Sequence, residues 1–349
     1  MNMDTISVDG VIRSDHGHDP ARSRGRSVEE ELEGFLRVYK DGAVERFSYV
    51  VSDVPATEAP QEPVASKDVV MDSRTGVWAR FYLPRKALSR ETKLPLLIYF
   101  HGGGFVLGSP AWSIYHVFMS RMASHTNSMI MSVAYRLAPE HRLPAAYDDC
   151  FGAVKWVRRQ ATHERSHASW LSSSADFSQC FLAGDSAGGN IVHNVALQCA
   201  RVDVKPLQMR GLILLQPFFG GENPCKREVE MSETDTNLTQ RWVDVFWKLS
   251  LPVGAKRDHP ACNPLAMSLR DLSLPPVIVI ISEKDLLKQR NLAYCQALKN
   301  GNKNVSHVMF KNVGHAFQVL NPDSQRIPEL LSVLGDFINK NRSASASTM

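Results

Sequence analysis

One stretch of ten residues constrains the fold of this chain more than any other: it reads FLAGDSAGGN at positions 181–190. An apolar run ends there in Gly184-x-Ser186-x-Gly188, and a helical pattern of apolar residues starts directly afterwards. This order predicts a strand-to-helix turn so tight that the backbone of Ser186 is strained and its side chain projects outward. The two glycines let strand and helix approach closely, and the helix points its first N–H groups at the serine. The stretch therefore favours a nucleophilic serine beside an anion-binding backbone.

The composition is that of a globular protein and excludes several other classes. Of the 349 residues, 44% are hydrophobic and 22% charged, which suits one large α/β domain or two ordinary ones. The net charge of +4 comes without a stripe of basic and aromatic residues, so no nucleic-acid partner is expected. No apolar run approaches the roughly 20 residues that span a bilayer, and no signal-peptide pattern is found. We therefore expect a cytoplasmic location with access to the nucleus.

The six cysteines lack the spacing of metal ligands. We expect them to be reduced and to act as small apolar residues. The sequence predicts neither a metal site nor an organic cofactor.

Strand patterns alternate with helix patterns along most of the chain. The strand patterns lie at 67–71, 77–83, 94–100, 129–134, 180–183, 212–215, 276–282 and 306–310. The helix patterns lie at 113–124, 145–159, directly after Ser186, at 289–300 and at 326–340. This alternation predicts a mostly parallel sheet with helices on both faces.

The ends of the chain and one internal segment depart from this rhythm. Residues 1–27 are expected to form a disordered tail, residues 28–340 a single domain, and residues 341–349 a flexible tail. Residues 28–39 combine apolar positions at helical spacing with glutamates near the start, which predicts an amphipathic helix. Part of 218–265 is expected to form a lid together with this helix, giving a helical cap from about 28–45 and that segment.

A serine nucleophile needs a base, and the base needs an acid that orients it. Asp285 and His315 each follow a strand pattern downstream of Ser186, where parallel sheets place functional residues. The order Ser, Asp, His is the one that α/β-hydrolases use. We predict that Ser186, Asp285 and His315 form a catalytic triad; Glu283 is the competing acid.

An acyl-transfer site also needs donors for the oxyanion. The sequence HGGG at 101–104 follows an apolar strand pattern, and its glycines allow close approach of the backbone. We predict that the amides of Gly103, Gly104 and Ala187 form the oxyanion hole, while His101 fixes the glycine loop. A phosphate-binding loop is the alternative interpretation, but neither GxxxxGK[ST] nor GxGxxG after a strand is present.

Several of these motifs together resemble the hormone-sensitive-lipase family of α/β-hydrolases. They are HGGGF at 101–105, YRLAPE at 135–140, GDSAGGN at 184–190, DLL at 285–287 and GHAF at 314–317. More narrowly, EELEGFLRV at 30–38 and FWKLSLP at 246–252 are similar to plant carboxylesterases. The resemblance covers about residues 28–340.

The resemblance implies a single α/β-hydrolase domain with an eight-stranded, mostly parallel sheet and an N-terminal cap over the acyl pocket. It also implies a serine carboxylic-ester hydrolase that works through an acyl-enzyme. The same plant group contains the gibberellin receptor, in which an aliphatic residue replaces the triad histidine and serine replaces the third glycine of HGGG. Gly104 and His315 are both present here, so the sequence favours catalysis over a hormone receptor. Dehydratases and transesterases of the group share the same motifs and stay open as alternatives.

The expected substrate is a small, largely apolar ester of a plant metabolite, hormone conjugate or xenobiotic. Aromatic residues near the glycine loop and in the expected lid are the candidate substrate contacts: Trp112, Tyr115, Phe218, Trp242 and Phe246. The sequence leaves the oligomeric state open between a monomer and a weak dimer.

Overall fold

Two sheets organise the part of the chain that the structure describes, a large one of eight strands and a small one of three. A computed structural model describes residues 25–47, 51–59, 61–88, 92–162, 169–231, 237–270 and 273–342. The small sheet consists of β1 (Val28–Leu32), β2 (Leu36–Tyr39) and β3 (Val44–Arg46). The strands of the large sheet are β4 (Val64–Asp72), β5 (Val77–Pro84), β6 (Leu94–Phe100), β7 (Met129–Ala134), β8 (Ala175–Asp185), β9 (Met209–Leu215), β10 (Val277–Ser282) and β11 (Val305–Phe310).

The large sheet has the order β11-β10-β9-β8-β6-β7-β5-β4. The six strands from β11 to β7 run parallel to one another. Beyond β7, β5 and β4 add an antiparallel edge. The predicted mostly parallel sheet is therefore confirmed, with the strands close to the predicted positions. All these parallel strands point their carboxyl ends to one edge, where the loops that follow them meet.

Helices cover both faces of the large sheet. They are α1 (Arg85–Leu88), α2 (Ser113–Thr126), α3 (Ala145–Thr162), α4 (Ser169–Ser174), α5 (Ala187–Arg201), α6 (Lys226–Glu230), α7 (Gln240–Ser250), α8 (Lys288–Asn300), α9 (Phe317–Leu320) and α10 (Ile327–Asn341), with a 3₁₀ turn at Pro264–Ala266. Apolar residues of α3, α5 and α8 form the core on one face, and those of α2 and α10 form the core on the other. Successive residues of β10 enter opposite cores, which explains why this strand is apolar throughout.

The amphipathic helix predicted for 28–39 is wrong, and so is the helical character of the N-terminal cap. The segment forms the antiparallel strands β1 and β2, joined by a turn at Gly34 with φ +77°. A helix cannot pass through that conformation, whereas glycine adopts it readily. Glu31 and Arg37, which helical spacing would place on different turns, lie opposite each other and form an ion pair of 2.7 Å. The three strands at 28–46 are called the N-terminal sheet below.

The N-terminal sheet packs against α7, so the two segments predicted to form a cap are neighbours. The ring of Phe35 meets the edge of Trp242 with centroids 5.1 Å apart. Lys248 of α7 forms an ion pair with Glu30 of β1. These contacts hold the N-terminal sheet and α7 together as one layer above the carboxyl edge of the large sheet.

The predicted tails fall almost entirely outside the described residues, which begin at 25 and end at 342. Within the described ranges, no helix has both the length and the apolar character needed to cross a bilayer. The six cysteines are described, and all carry free thiols.

The approach of α5 to the large sheet gives a test of the packing. A Cβ on Gly188 would lie 1.8 Å from the carbonyl oxygen of Phe100, so Gly188→Ala should lower the free energy of unfolding by about 3 kcal/mol or more. A Cβ on Gly152 in α3 would meet no other atom within 4 Å, so Gly152→Ala should raise stability by about 0.5–1 kcal/mol. Urea unfolding of both variants measures the difference. Equal stabilities would contradict the close helix–sheet contact.

Candidate active site

Ser186 lies in the sharp turn between β8 and α5, and its backbone is strained. Its φ of +52° and ψ of −118° are rare for a residue with a side chain and cost about 1–3 kcal/mol. The end of β9 and the loop after it hold this conformation: the Ser186 amide donates to Leu215 O at 2.8 Å, and its carbonyl accepts from the Phe218 amide at 2.8 Å. The strained turn is what the Gly-x-Ser-x-Gly pattern predicts, and it aims the hydroxyl away from the sheet.

The structure joins Ser186, His315 and Asp285 in one hydrogen-bonded series. Nε2 of His315 lies 2.8 Å from Ser186 Oγ, and Nδ1 of the same ring lies 2.8 Å from Asp285 Oδ2. A carboxylate only accepts, so Nδ1 carries the proton and Nε2 is free to accept from the serine hydroxyl. The aspartate is fully buried, while the serine and the histidine are each 6% exposed. This is the arrangement in which a histidine can remove the proton of a serine.

The acid is held by its own loop and by α6. The Leu287 amide donates to Asp285 Oδ1 at 2.9 Å, and Nε of Arg227 donates to the Asp285 carbonyl at 2.6 Å. Glu283, the competing acid, instead accepts from the Asn312 amide at 2.9 Å. The structure therefore brings Asp285, and not Glu283, to the histidine.

The histidine loop is fixed by a residue that the sequence did not point to. Asn237 Nδ2 donates to the His315 carbonyl at 2.6 Å, and a Cβ on Gly314 would lie 2.7 Å from Asn237 Oδ1. Ala316, the next residue, has a left-handed φ of +52°. Asn237 lies far from the triad motifs in the chain and belongs to no motif, so no sequence signal pointed to it.

The three predicted oxyanion donors are N–H groups of three peptide planes. In each plane the carbonyl, which points the opposite way, accepts a hydrogen bond from the protein. In a trans peptide the C=O and the following N–H point in opposite directions, so a bound carbonyl aims the amide. The Gly103 carbonyl accepts from the amides of Val106 and Leu107, at 3.0 and 2.9 Å, which aims the Gly104 N–H. The Ser186 carbonyl, bound by the Phe218 and Asn190 amides, aims the Ala187 N–H. In the described part of the chain, no protein acceptor binds these N–H groups.

His101 fixes the remaining plane, between Gly102 and Gly103. Its Nδ1 lies 2.8 Å from Gly102 O and must donate to it, because a carbonyl only accepts. Burial lowers the pKa of His101 to about 4, so the ring is neutral at physiological pH. The ring stacks on Tyr135 at 4.3 Å, and the Tyr135 hydroxyl donates to the His101 carbonyl at 2.8 Å. The histidine therefore orients the Gly103 amide and does not exchange protons with substrate.

Asp185, the residue before the nucleophile, ties the glycine loop to the sheet. Its carboxylate accepts from the hydroxyls of Tyr99 and Tyr115 at 2.7 and 3.0 Å, and from the Gly102 amide at 3.0 Å. Burial raises the pKa of the Asp185 carboxyl, and the two tyrosine hydroxyls counteract this by stabilising the charge. The side chain points into the protein, which suits a structural role.

The five candidate substrate contacts fall into different environments. Tyr115 is engaged with Asp185, and Phe218 is fully buried and stacked on Trp247, so the structure does not bring either to an open wall of the site. Trp112 pairs through its backbone with Asp53. Trp242 and Phe246 belong to α7, and their rings meet edge to face at 5.7 Å.

Phe246 packs against the glycine loop next to the oxyanion amides. A Cβ on Gly104 would lie 2.3 Å from the Phe246 ring, so this ring rests directly on the glycine loop. Phe35, Trp242 and Phe246 thus form a continuous row from the N-terminal sheet to Gly104. Glycine suits position 104 because a Cβ there would clash with this ring and because glycine adopts a φ of +60° without strain.

The chemistry available here is nucleophilic attack by a serine with electrostatic stabilisation of the resulting oxyanion. Within the described residues, no group of three or more His, Cys, Asp or Glu side chains is arranged to hold a metal ion. The triad and the three amides lie at the carboxyl edge of the parallel strands, where open α/β sheets carry their sites.

Comparison with known proteins gives a consistent picture. A family model described as the alpha/beta hydrolase fold matches residues 97–319. The chain is 42% identical over 296 residues to "Probable carboxylesterase 6" of Arabidopsis thaliana, which covers 84% of this chain and 85% of that protein. It is 34% identical over 323 residues to "2-hydroxyisoflavanone dehydratase" of Glycyrrhiza echinata, covering 90% and 97%. A solved esterase of Pyrobaculum calidifontis superposes with a TM-score of 0.66 at 28% identity, covering 79% of this chain and 84% of that chain.

Two buried histidines, His101 and His193, make the free energy of unfolding depend on pH. Burial lowers the pKa of both His101 and His193 to about 4, whereas an unfolded histidine has a pKa near 6.5. Below about pH 6.5 the unfolded state binds protons that the folded state does not, so the free energy of unfolding should fall towards pH 4. Each histidine contributes up to about 1.4 kcal/mol per pH unit in this window.

His193→Gln isolates one of these two contributions without touching the glycine loop. Between about pH 6 and pH 4.5, its free energy of unfolding should fall less steeply than that of the wild type, by about 1 kcal/mol per pH unit. Urea unfolding at several pH values gives both slopes. Identical slopes would show that His193 is not kept neutral by burial.

Proposed function

The chain belongs to the α/β-hydrolase-fold family, and from that premise we propose that it is a serine carboxylic-ester hydrolase acting on small, largely apolar esters. One observation carries the proposal: the series Asp285–His315–Ser186 is hydrogen-bonded at 2.8 Å throughout and lies beside backbone amides with oriented peptide planes. The similarity to plant carboxylesterases supports the same activity.

The proposed reaction has two halves, the formation of an acyl-enzyme and its hydrolysis. Ser186 Oγ attacks the ester carbonyl while His315 Nε2 takes its proton, and Asp285 stabilises the imidazolium that forms. The amides of Gly103, Gly104 and Ala187 bind the negatively charged oxygen, and the loss of one such donor typically costs about 100- to 1000-fold in rate. His315 then protonates the leaving alcohol, which yields an acyl-enzyme. A water molecule, deprotonated by the same histidine, releases the acid and regenerates the serine.

The acyl and alcohol groups would lie beside the oxyanion amides of the glycine loop, next to Phe246 of α7. Phe246 supports this part of the proposal, because its ring rests on Gly104 beside the oxyanion amides. An aromatic wall there suits apolar groups and offers no charged partner. Esters of plant metabolites, hormone conjugates or xenobiotics meet this description.

A second candidate function is dehydration. The 34% identity to a 2-hydroxyisoflavanone dehydratase supports this candidate. Dehydration would develop negative charge on an enolate-like oxygen, which the same amides would bind. A hormone receptor on the same scaffold is less well supported, because His315 and Gly104 both stand where hydrolysis needs them. Incubation of the protein with a 2-hydroxyisoflavanone and, separately, with p-nitrophenyl esters distinguishes dehydration from hydrolysis.

Ser186→Ala tests the nucleophile. Hydrolysis of p-nitrophenyl acetate and butyrate should fall by about 1000-fold or more, because no other group can form the acyl-enzyme. Ser132→Ala makes the same change at a buried serine of β7 and should leave the rate unchanged. Stopped assays at equal concentrations of folded protein measure both. Equal rates for the wild type and Ser186→Ala would refute the proposal, as would a phosphonate label that mass spectrometry maps to another residue.

A further inference from the structure

Arg46 of the N-terminal sheet forms a hydrogen bond with the loop that carries the glycine amides. Its Nε donates to the Val106 carbonyl at 2.9 Å, although the two residues are 60 positions apart in the chain. Its Nη2 donates to the Ala138 carbonyl at 2.7 Å. The two remaining contacts form a fork on Glu140, at 2.6 Å to Oε1 and 2.8 Å to Oε2. One planar guanidinium therefore joins three chain segments.

The contact with Val106 reaches the oxyanion donors through two peptide planes. The Val106 carbonyl shares a plane with the Leu107 N–H, which donates to the Gly103 carbonyl at 2.9 Å, and that carbonyl shares a plane with the Gly104 N–H. Displacement of Val106 therefore tilts the Gly104 amide. No side chain of the triad takes part in this connection.

The loop needs such support because its backbone is unfavourable by itself. Gly103, Gly104 and Phe105 have φ values of +104°, +60° and +66° in succession. A left-handed phenylalanine persists only where its surroundings impose it. The Phe105 carbonyl accepts from the Ala138 amide at 2.9 Å, so the loop is fastened to the segment around Ala138 directly and, one residue later, through Arg46.

We propose that Arg46, held by Glu140, is a positioning residue of the oxyanion hole: through Val106 it sets the direction of the Gly104 amide. Partial burial raises the pKa of Glu140, but the hydrogen bonds and charge of Arg46 outweigh this and lower it, so the pair is ionised. The proposal rests on the ester hydrolysis proposed above. It assigns a function to the N-terminal sheet beyond covering the site.

Arg46→Lys tests the fork without removing the charge. A lysine can keep an ion pair with Glu140, but its ammonium cannot reach both carbonyls and both carboxylate oxygens at once. Because the Gly104 amide is displaced and not lost, kcat should fall by about 10-fold, less than the 100- to 1000-fold for a deleted donor, with KM changed less than about twofold. The inhibition constant of a trifluoromethyl ketone should rise by the same factor as kcat falls. The serine hydroxyl adds to its free, unhydrated carbonyl and gives a hemiketal whose oxyanion lies in the hole, so the inhibitor reports on the amides directly.

Arg80→Lys is the matched control. Arg80 makes a similar fork, on both carboxylate oxygens of Asp68 at 2.7 and 2.8 Å and on the Val54 carbonyl at 2.8 Å, and none of these partners belongs to the glycine loop. The melting temperature of Arg80→Lys should fall. Its kcat, expressed per active site titrated with a phosphonate, should stay at the wild-type value. Glu140→Gln leaves the two carbonyl contacts of Arg46 possible, and it should lower kcat by less than Arg46→Lys does.

The outcomes separate this proposal from the proposed function. If wild-type hydrolysis depends on Ser186 but Arg46→Lys keeps both kcat and the ketone inhibition constant within twofold, Arg46 is only structural and the proposal is wrong. The same conclusion follows if Arg80→Lys loses kcat as strongly as Arg46→Lys. If wild-type hydrolysis does not depend on Ser186, ester hydrolysis itself is refuted.

Discussion

The planarity of the peptide bond couples the back of this site to its front. Each amide that faces the nucleophile is aimed by whatever binds the carbonyl on the other side of its plane. For Gly103 that partner is the neutral ring of His101, for Gly104 it is a pair of amides in its own loop, and for Ala187 it is the backbone after β9. Groups that never approach a substrate therefore decide where an oxyanion can be bound. This is preorganisation in the strict sense, since no donor has to turn when charge develops.

The triad is also positioned by groups that do not contact a substrate. The strain at Ser186 is stored in a turn that the adjacent strand and the close approach of Gly188 to Phe100 make unavoidable. Asp285 is fully buried, yet its charge is compensated by the Leu287 amide and by the imidazole it orients. The surrounding hydrogen bonds hold the acid and the base by their main chains, through Arg227 and Asn237, which leaves the functional atoms free. The large sheet thus fixes where the catalytic residues lie, and the loops after its strands carry the side chains that react.

The fold and the core of the site were readable from the sequence because their signals are local. Ser186 stands inside a short pattern whose glycines have a steric cause, and Asp285 and His315 each follow a strand pattern. The N-terminal helix was wrong because a glutamate-rich run with apolar residues at 32, 35 and 36 satisfies helical spacing, while the single turn glycine at 34 decides for a hairpin. Arg46 and Asn237 could not be found in this way. Their importance lies in contacts with distant segments, and neither periodicity nor a motif records such contacts.

The order of strands in the large sheet has a consequence for how activity arises during synthesis. The elbow with Ser186 rests on β8, β6 and β9, all of which leave the ribosome before residue 216. The acid and the base follow β10 and β11, which are added in turn at one edge of the sheet. A chain that has not yet added β10 and β11 therefore lacks both the acid and the base that Ser186 needs. Catalysis by the triad requires that the last strand has paired with the sheet.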